Sequence, residues 1–189
     1  LTWDPNDEFI YIAELNRDQN HMKWAQYDVN TGKRIKTIFE EKNNKWVEPE
    51  YPLYFIPEKN DEFITLSERD GFMNLYRYNT NGKLLNQITK NKWVTTALLA
   101  VKENTIYFQG TGEDPRELHT YSINLNGTEL RKITTNPGVH QTKLSPNGRY
   151  LSDQFSNLEN PGTTQVIDMK TGKVNVLNQA ENPLSDYSI

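Results

Sequence analysis

The sequence predicts an all-β protein built from repeated four-stranded antiparallel units. Three observations carry that prediction. A strand–turn–strand signature recurs four times: Tyr27-Asp28-Val29-Asn30-Thr31-Gly32-Lys33, Tyr78-Asn79-Thr80-Asn81-Gly82-Lys83, Ile123-Asn124-Leu125-Asn126-Gly127-Thr128 and Ile167-Asp168-Met169-Lys170-Thr171-Gly172-Lys173. Their turn glycines are spaced 50, 45 and 45 residues apart. Aromatic residues make up 11% of a chain that is only 35% hydrophobic and has a mean hydropathy of -0.82. That balance suits many half-buried strands better than a helical bundle. No stretch carries convincing helical periodicity, and the polar run 40–45 is short.

The clearest stretch runs from Ser67 to Lys83. Phe63-Ile64-Thr65-Leu66 before it reads as a strand of β-branched and aromatic residues. Arg69-Asp70-Gly71 reads as a tight turn, because glycine takes positive φ without steric cost. Met73, Leu75 and Arg77 then alternate with Asn74, Tyr76 and Tyr78, the period of a second strand. Asn81-Gly82 predicts a type I′ hairpin turn, and 84–88 returns as a third strand.

The same reading gives four strands per repeat. The first repeat holds 1–3, 9–13, 22–27 and 34–38; the second, 53–56, 63–66, 73–78 and 84–88. The third holds 94–99, 106–109, 118–123 and 129–133; the fourth, 139–144, 150–155, 165–167 and 174–177. Boundaries fall at about 1–45, 46–91, 92–136 and 137–181, with a tail over 182–189. Four-stranded units at this period are β-propeller blades. A lone blade cannot bury both faces, so the four repeats read as an arc of a larger propeller. Trp46 and Trp93 stand in equivalent places before innermost strands and are expected to pack between blades.

Composition excludes several functions. The net charge is -4 with the signs interleaved, so no basic patch points to nucleic acid. There is no cysteine, which removes disulfides, thiolate catalysis and cysteine-based zinc sites. The longest apolar run, 97–101, is far short of a membrane span. His21, His119 and His140 lie in different repeats without metal-ligand spacing. No Gly-x-Ser-x-Gly elbow, His-Glu-x-x-His or phosphate loop occurs. No cofactor or metal is expected, and this chain alone offers no catalytic residues. Asp28 to Gly32 is better explained by Asx-turn chemistry than by a calcium loop. Arg69-Asp70 reads as a structural ion or hydrogen-bond pair. Glu48-Pro49-Glu50-Tyr51-Pro52, after Trp46-Val47, sets acidic groups beside aromatics, a combination able to hold a cation.

Several stretches together resemble the N-terminal propeller of the dipeptidyl peptidase IV family of serine peptidases. They are 15–20, Trp46-Val47-Glu48-Pro49, the run from Ser67 to Tyr76, Pro137-Gly138-Val139-His140 and 144–148. The resemblance runs from Leu1 to about Tyr187 and is strongest to bacterial members. It implies an eight-bladed propeller joined to a C-terminal α/β-hydrolase domain, whose Ser, Asp and His remove X-Pro or X-Ala dipeptides from peptide N-termini. The propeller then gates access, binds peptide substrate and contributes no cofactor. The resemblance also implies a periplasmic or secreted location, and a homodimer of the parent or self-association of this chain. The family's paired amine-binding glutamates have no counterpart here. The segment after Trp46-Val47 is shorter than in mammalian members and lacks their arginine. Glu48 and Tyr51 are the residues placed to touch substrate. The alternative is a TolB-like propeller serving as a protein-binding scaffold.

Overall fold

A computed structural model describes residues 1–49 and 51–183. The described residues form sixteen strands and no helix, in four antiparallel meanders. The first sheet comprises β1 (Thr2–Trp3), β2 (Phe9–Leu15), β3 (His21–Asp28) and β4 (Arg34–Lys42), in that spatial order. The second comprises β5 (Tyr54–Ile56), β6 (Lys59–Ser67), β7 (Asn74–Asn79) and β8 (Leu84–Gln87). The third comprises β9 (Thr95–Lys102), β10 (Thr105–Gly110), β11 (His119–Asn124) and β12 (Arg131–Lys132). The fourth comprises β13 (Val139–Leu144), β14 (Tyr150–Ser156), β15 (Thr163–Asp168) and β16 (Val174–Gln179). Each is a propeller-type blade. The part of the expected tail from residue 184 onward lies outside the described residues.

Hairpin chemistry fixes the recurring turns. The Asp28 carboxylate accepts the Thr31 amide at 2.7 Å and its hydroxyl at 2.8 Å, while the Gly32 amide donates to the Asp28 carbonyl. Asp168 repeats the pattern with the amides of Lys170 and Thr171. At 79–83 the structure corrects the expected type I′ turn. Gly82 has a φ of 84°, whereas Asn81 does not enter the positive-φ region. The Asn79 side chain accepts the amides of Asn81 and Lys83, and the Gly82 amide donates to the Asn79 carbonyl at 2.9 Å. That is the pattern of a type I turn closed by a left-handed glycine. A Cβ on Gly82 would also stand 2.0 Å from the Ile38 carbonyl oxygen, so only glycine fits.

The chain divides into two compact units. The first holds residues 1–92 with 125–127, and its core is aromatic. Tyr11, Trp24, Phe39, Phe63, Tyr76 and Tyr78 are all buried. Phe39 of the first sheet stacks on Tyr78 of the second at 4.6 Å, and Phe63 stacks on Tyr78 at 5.8 Å. These contacts join the facing surfaces of two neighbouring blades.

The second unit holds residues 93–124 and the described residues from 128 on. Leu118 and Val139 bridge its two sheets in parallel. Trp93 stacks on Tyr121 at 4.7 Å and on Phe108 at 6.2 Å. Its ring lies over Gly110, where a Cβ would come within 2.4 Å of the indole. Trp93 is therefore half-buried by contacts within its own sheet, while Trp46 is 52% exposed and does not pack between blades as expected. The pairing registers supply the reason. Gly110 pairs with His119, and the corresponding residue of the second sheet, paired with Asn74, is Ser67. Ser67 carries a side chain engaged with Glu41 and Arg69, so the glycine seat for an indole is missing there.

The second unit also contains a buried polar network. His119, His140 and Asp153 are fully buried. His140 Nδ1 lies 2.9 Å from both Asp153 oxygens, and its Nε2 lies 2.8 Å from the Asn136 carbonyl oxygen. Gln165 donates to Asp153 at 2.8 Å. His119 Nε2 lies 2.8 Å from Glu117, and its Nδ1 lies 3.2 Å from the Thr134 hydroxyl. The two imidazole centroids are 4.9 Å apart. Burial lowers the His119 pKa against the opposing bond from Glu117, with Lys132 and His140 adding to the fall.

The unfolded chain therefore binds more protons than the folded one just below the ordinary histidine value of about 6.5. Stability present above that value is lost as pH falls towards the folded-state value. The melting temperature should drop between about pH 7 and about pH 5, and His119→Gln should flatten that slope. An equal slope in the variant would assign the effect to other groups.

Candidate functional site

The connection from β4 to β5 carries Glu48 and Tyr51. It is anchored at both ends. The Val47 amide donates to the Gln19 carbonyl at 2.7 Å, and Val47 is buried. Leu53 is buried at the other end. Pro49 and Pro52 narrow the backbone choices between them. Glu50, the remaining acidic residue of the stretch, lies outside the described residues.

Between these anchors the connection covers a cavity of about 40 Å³, enough for a few water molecules. Its lining includes Trp46, Glu48, Pro49 and Tyr51 from the connection, and Ser67, Glu68 and Arg69 from the second blade. Glu48 is exposed and Tyr51 half-buried. The structure thus brings the two sequence-selected residues to one cavity and adds Glu41, Ser67, Glu68 and Arg69, which sequence reasoning did not select as site residues.

Arg69 is the hub of this wall. Its Nε lies 2.9 Å from the Ser67 hydroxyl, one terminal nitrogen 2.6 Å from the Tyr78 hydroxyl, and the other 3.3 Å from Glu41 on β4. The guanidinium also sits 4.4 Å from the Tyr76 ring centroid, a cation–π arrangement. The Ser67 hydroxyl donates to Glu41. Burial acts to lower the Arg69 pKa, but Glu41 and the Tyr78 hydroxyl outweigh it and hold the pKa above the ordinary value. Asp70 does not pair with Arg69 as expected; it accepts from the Tyr76 hydroxyl at 2.7 Å. Burial, then that bond, raises the Tyr76 pKa. Both residues of the turn thus engage Tyr76, Arg69 over the ring face and Asp70 at the hydroxyl.

Glu41 is engaged by Arg69 and Ser67, while Glu48 and Glu68 line the same cavity as Trp46 and Tyr51. Acidic groups next to aromatic faces can hold a cationic group. The polar loop Asn16 to Asn20 satisfies itself, since Asn16 Oδ1 accepts the amides of Asn20 and His21.

The second unit has a larger groove, of about 660 Å³, lined by Tyr107, Arg131, Lys132, Ile167 and Asp168 among others. Its charged groups are already paired: Arg131 with Glu129, Lys132 with Glu117, and Asp168 with Arg149. The His140–Asp153 pair does not form part of a nucleophile relay, because His140 Nε2 faces a backbone carbonyl rather than a hydroxyl. Among the described residues no cluster of three metal-ligating side chains occurs. No described helix is long and apolar enough to cross a membrane.

Sixteen strands in four four-stranded meanders define an all-β protein of the propeller class. Residues 1–162 match the family model for the dipeptidyl peptidase IV (DPP IV) N-terminal region, and the chain belongs to that family. A protein of Trichophyton verrucosum named "Probable dipeptidyl-aminopeptidase B" is 30% identical over 140 residues, which are 66% of this chain and 15% of that protein. A solved structure from Bacteroides ovatus, described as a dipeptidyl aminopeptidase IV, superposes with a TM-score of 0.89 at 29% identity. The match covers 98% of this chain and 29% of the other. Porphyromonas gingivalis dipeptidyl peptidase 4 gives a TM-score of 0.80 at 26% identity, covering 92% of this chain and 25% of that one. The chain therefore spans under a third of the length of these relatives.

Proposed function

We propose that this chain is the non-catalytic propeller portion of a dipeptidyl peptidase IV-like serine exopeptidase. A C-terminal α/β-hydrolase domain of the same polypeptide removes X-Pro or X-Ala dipeptides, and the propeller gates the peptide's approach and helps to bind it. Glu48 and Tyr51 are the residues that meet the substrate. The observation that carries this reading is the family match over residues 1–162 combined with the cavity that Glu48 and Tyr51 line together. A periplasmic or secreted location goes with the same reading.

The test compares two proteins. The complete polypeptide should release p-nitroaniline from Gly-Pro-p-nitroanilide, and the present chain alone should not. In the complete enzyme, Glu48→Gln and Tyr51→Phe should each raise KM by roughly three- to tenfold with kcat nearly unchanged, as expected when substrate binding alone is weakened. Unchanged KM in both variants would remove these residues from the site.

The parent is a homodimer on this reading, and the chain alone associates through a terminal blade. β16 supports this, with Val174, Val176 and Leu177 all exposed. Apolar side chains grouped on one exposed strand are the kind of patch that marks an association surface. Sedimentation over a concentration range should reveal a rising mass; a single monomeric species at all concentrations would refute it.

A further inference from the structure

We propose that Arg69 is a positioning residue. It holds Glu48 and Tyr51 at their cavity by latching the second blade to Glu41 of the first. This rests on the reading above for its functional consequence, but not for its structural one.

Three observations support the latch. Arg69 and Glu41 come from different sheets and meet at 3.3 Å with side chains only 25% and 10% exposed. Solvent therefore screens the pair less than an ordinary surface pair. Arg69 is also fixed by three further groups: the Ser67 hydroxyl at 2.9 Å, the Tyr78 hydroxyl at 2.6 Å and the Tyr76 ring at 4.4 Å. A planar fork with this many partners has one position, which a lysine could not reproduce. Finally, Glu41 lies one residue from the end of β4, and the connection begins just beyond it. The carboxylate that Arg69 grips is thus at the root of the segment, and Arg69 lines the same cavity as Glu48 and Tyr51.

Without Arg69, Glu41 would keep the Ser67 hydroxyl but lose its counter-charge. A mostly buried carboxylate without its cation moves towards water, and the root of the connection moves with it. Arg69 lines the same cavity as Glu48 and Tyr51 and acts on substrate through them.

The experiment has two arms. In the present chain, hydrogen exchange is followed in peptides spanning residues 46–55 for wild type, Arg69→Gln, Arg69→Lys and Tyr78→Phe. Arg69→Gln should accelerate exchange there at least tenfold while peptides over 139–168 stay unchanged. Arg69→Lys should recover part of the protection. Tyr78→Phe removes one bond and keeps the ring, so it carries the test if Arg69→Gln does not fold. Unchanged exchange over 46–55 in folded variants, or equal acceleration everywhere, would overturn the latch. In the complete enzyme, Arg69→Gln should raise KM about tenfold with kcat within about twofold, and Arg69→Lys should restore part of it. A parallel loss of kcat would also overturn the positioning role. No turnover by the wild-type enzyme would instead refute the proposed peptidase function and leave the exchange result to decide the latch.

Discussion

Replacing Asp153 with alanine should destabilise the second unit by about 2–6 kcal/mol, because it leaves two buried groups unpaired at about 1–3 kcal/mol each. Asp153 is fully buried and serves two groups at once. Its oxygens face His140 Nδ1 at 2.9 Å and accept from the Gln165 amide at 2.8 Å. The alanine variant leaves both without a partner in a site closed to water, and a buried donor left unpaired costs more than the bond contributes. His140 cannot turn to another acceptor, since its Nε2 already faces the Asn136 carbonyl and its ring stacks on Phe155 at 4.8 Å. Asp153→Asn keeps the shape and one acceptor, so it should cost less than Asp153→Ala. Chemical denaturation of the three proteins measures this. A loss below about 1 kcal/mol for Asp153→Ala, the range of an exposed pair, would mean that the network contributes little.

The strand pattern was legible because alternation of apolar and polar residues is local. All sixteen strand segments expected from sequence coincide with strands in the structure, although several ends move. β4 continues to Lys42, through polar residues that showed no alternation of the core type. The turn at Asn79 was misjudged because Asn-Gly also fits a type I turn when an asparagine side chain organises the backbone before it. Trp46 departs from the pattern of Trp93. Its equivalence to Trp93 in sequence was real, but burial depended on a glycine fifteen or more residues away, and Ser67 stands there instead. The site was half legible. Glu48 and Tyr51 stand in one short stretch rich in acidic and aromatic residues. Arg69 was visible as part of a turn, but its partner Glu41 lies in another blade, and no local pattern links the two. The same distance hid the histidines, which sit 21 positions apart in sequence and 4.9 Å apart in space.

Phe63→Ala should be the most damaging single change in the first unit, at about 3–5 kcal/mol for a buried phenylalanine. Phe63 has no exposed surface. Its ring centroid lies 5.8 Å from Tyr78, 6.2 Å from Phe39 and 5.9 Å from Phe55. Phe39 belongs to the first sheet and the other two to the second, so the cavity left by truncation opens at the junction of two blades. The gap cannot close as a flexible loop could, because β6, which carries Phe63, is held by ladders to β5 on one side and β7 on the other. The void should therefore persist and add its own cost to the lost transfer energy. Phe63→Leu, which refills part of the volume, should recover more than half of the loss. Phe72 provides the contrast: it lies in a turn, 39% exposed, and Phe72→Ala should change stability by no more than about 0.5 kcal/mol. Urea unfolding monitored by tryptophan fluorescence compares the three variants. If Phe63→Ala and Phe72→Ala cost the same, stability does not depend on the aromatic stack between the first two blades.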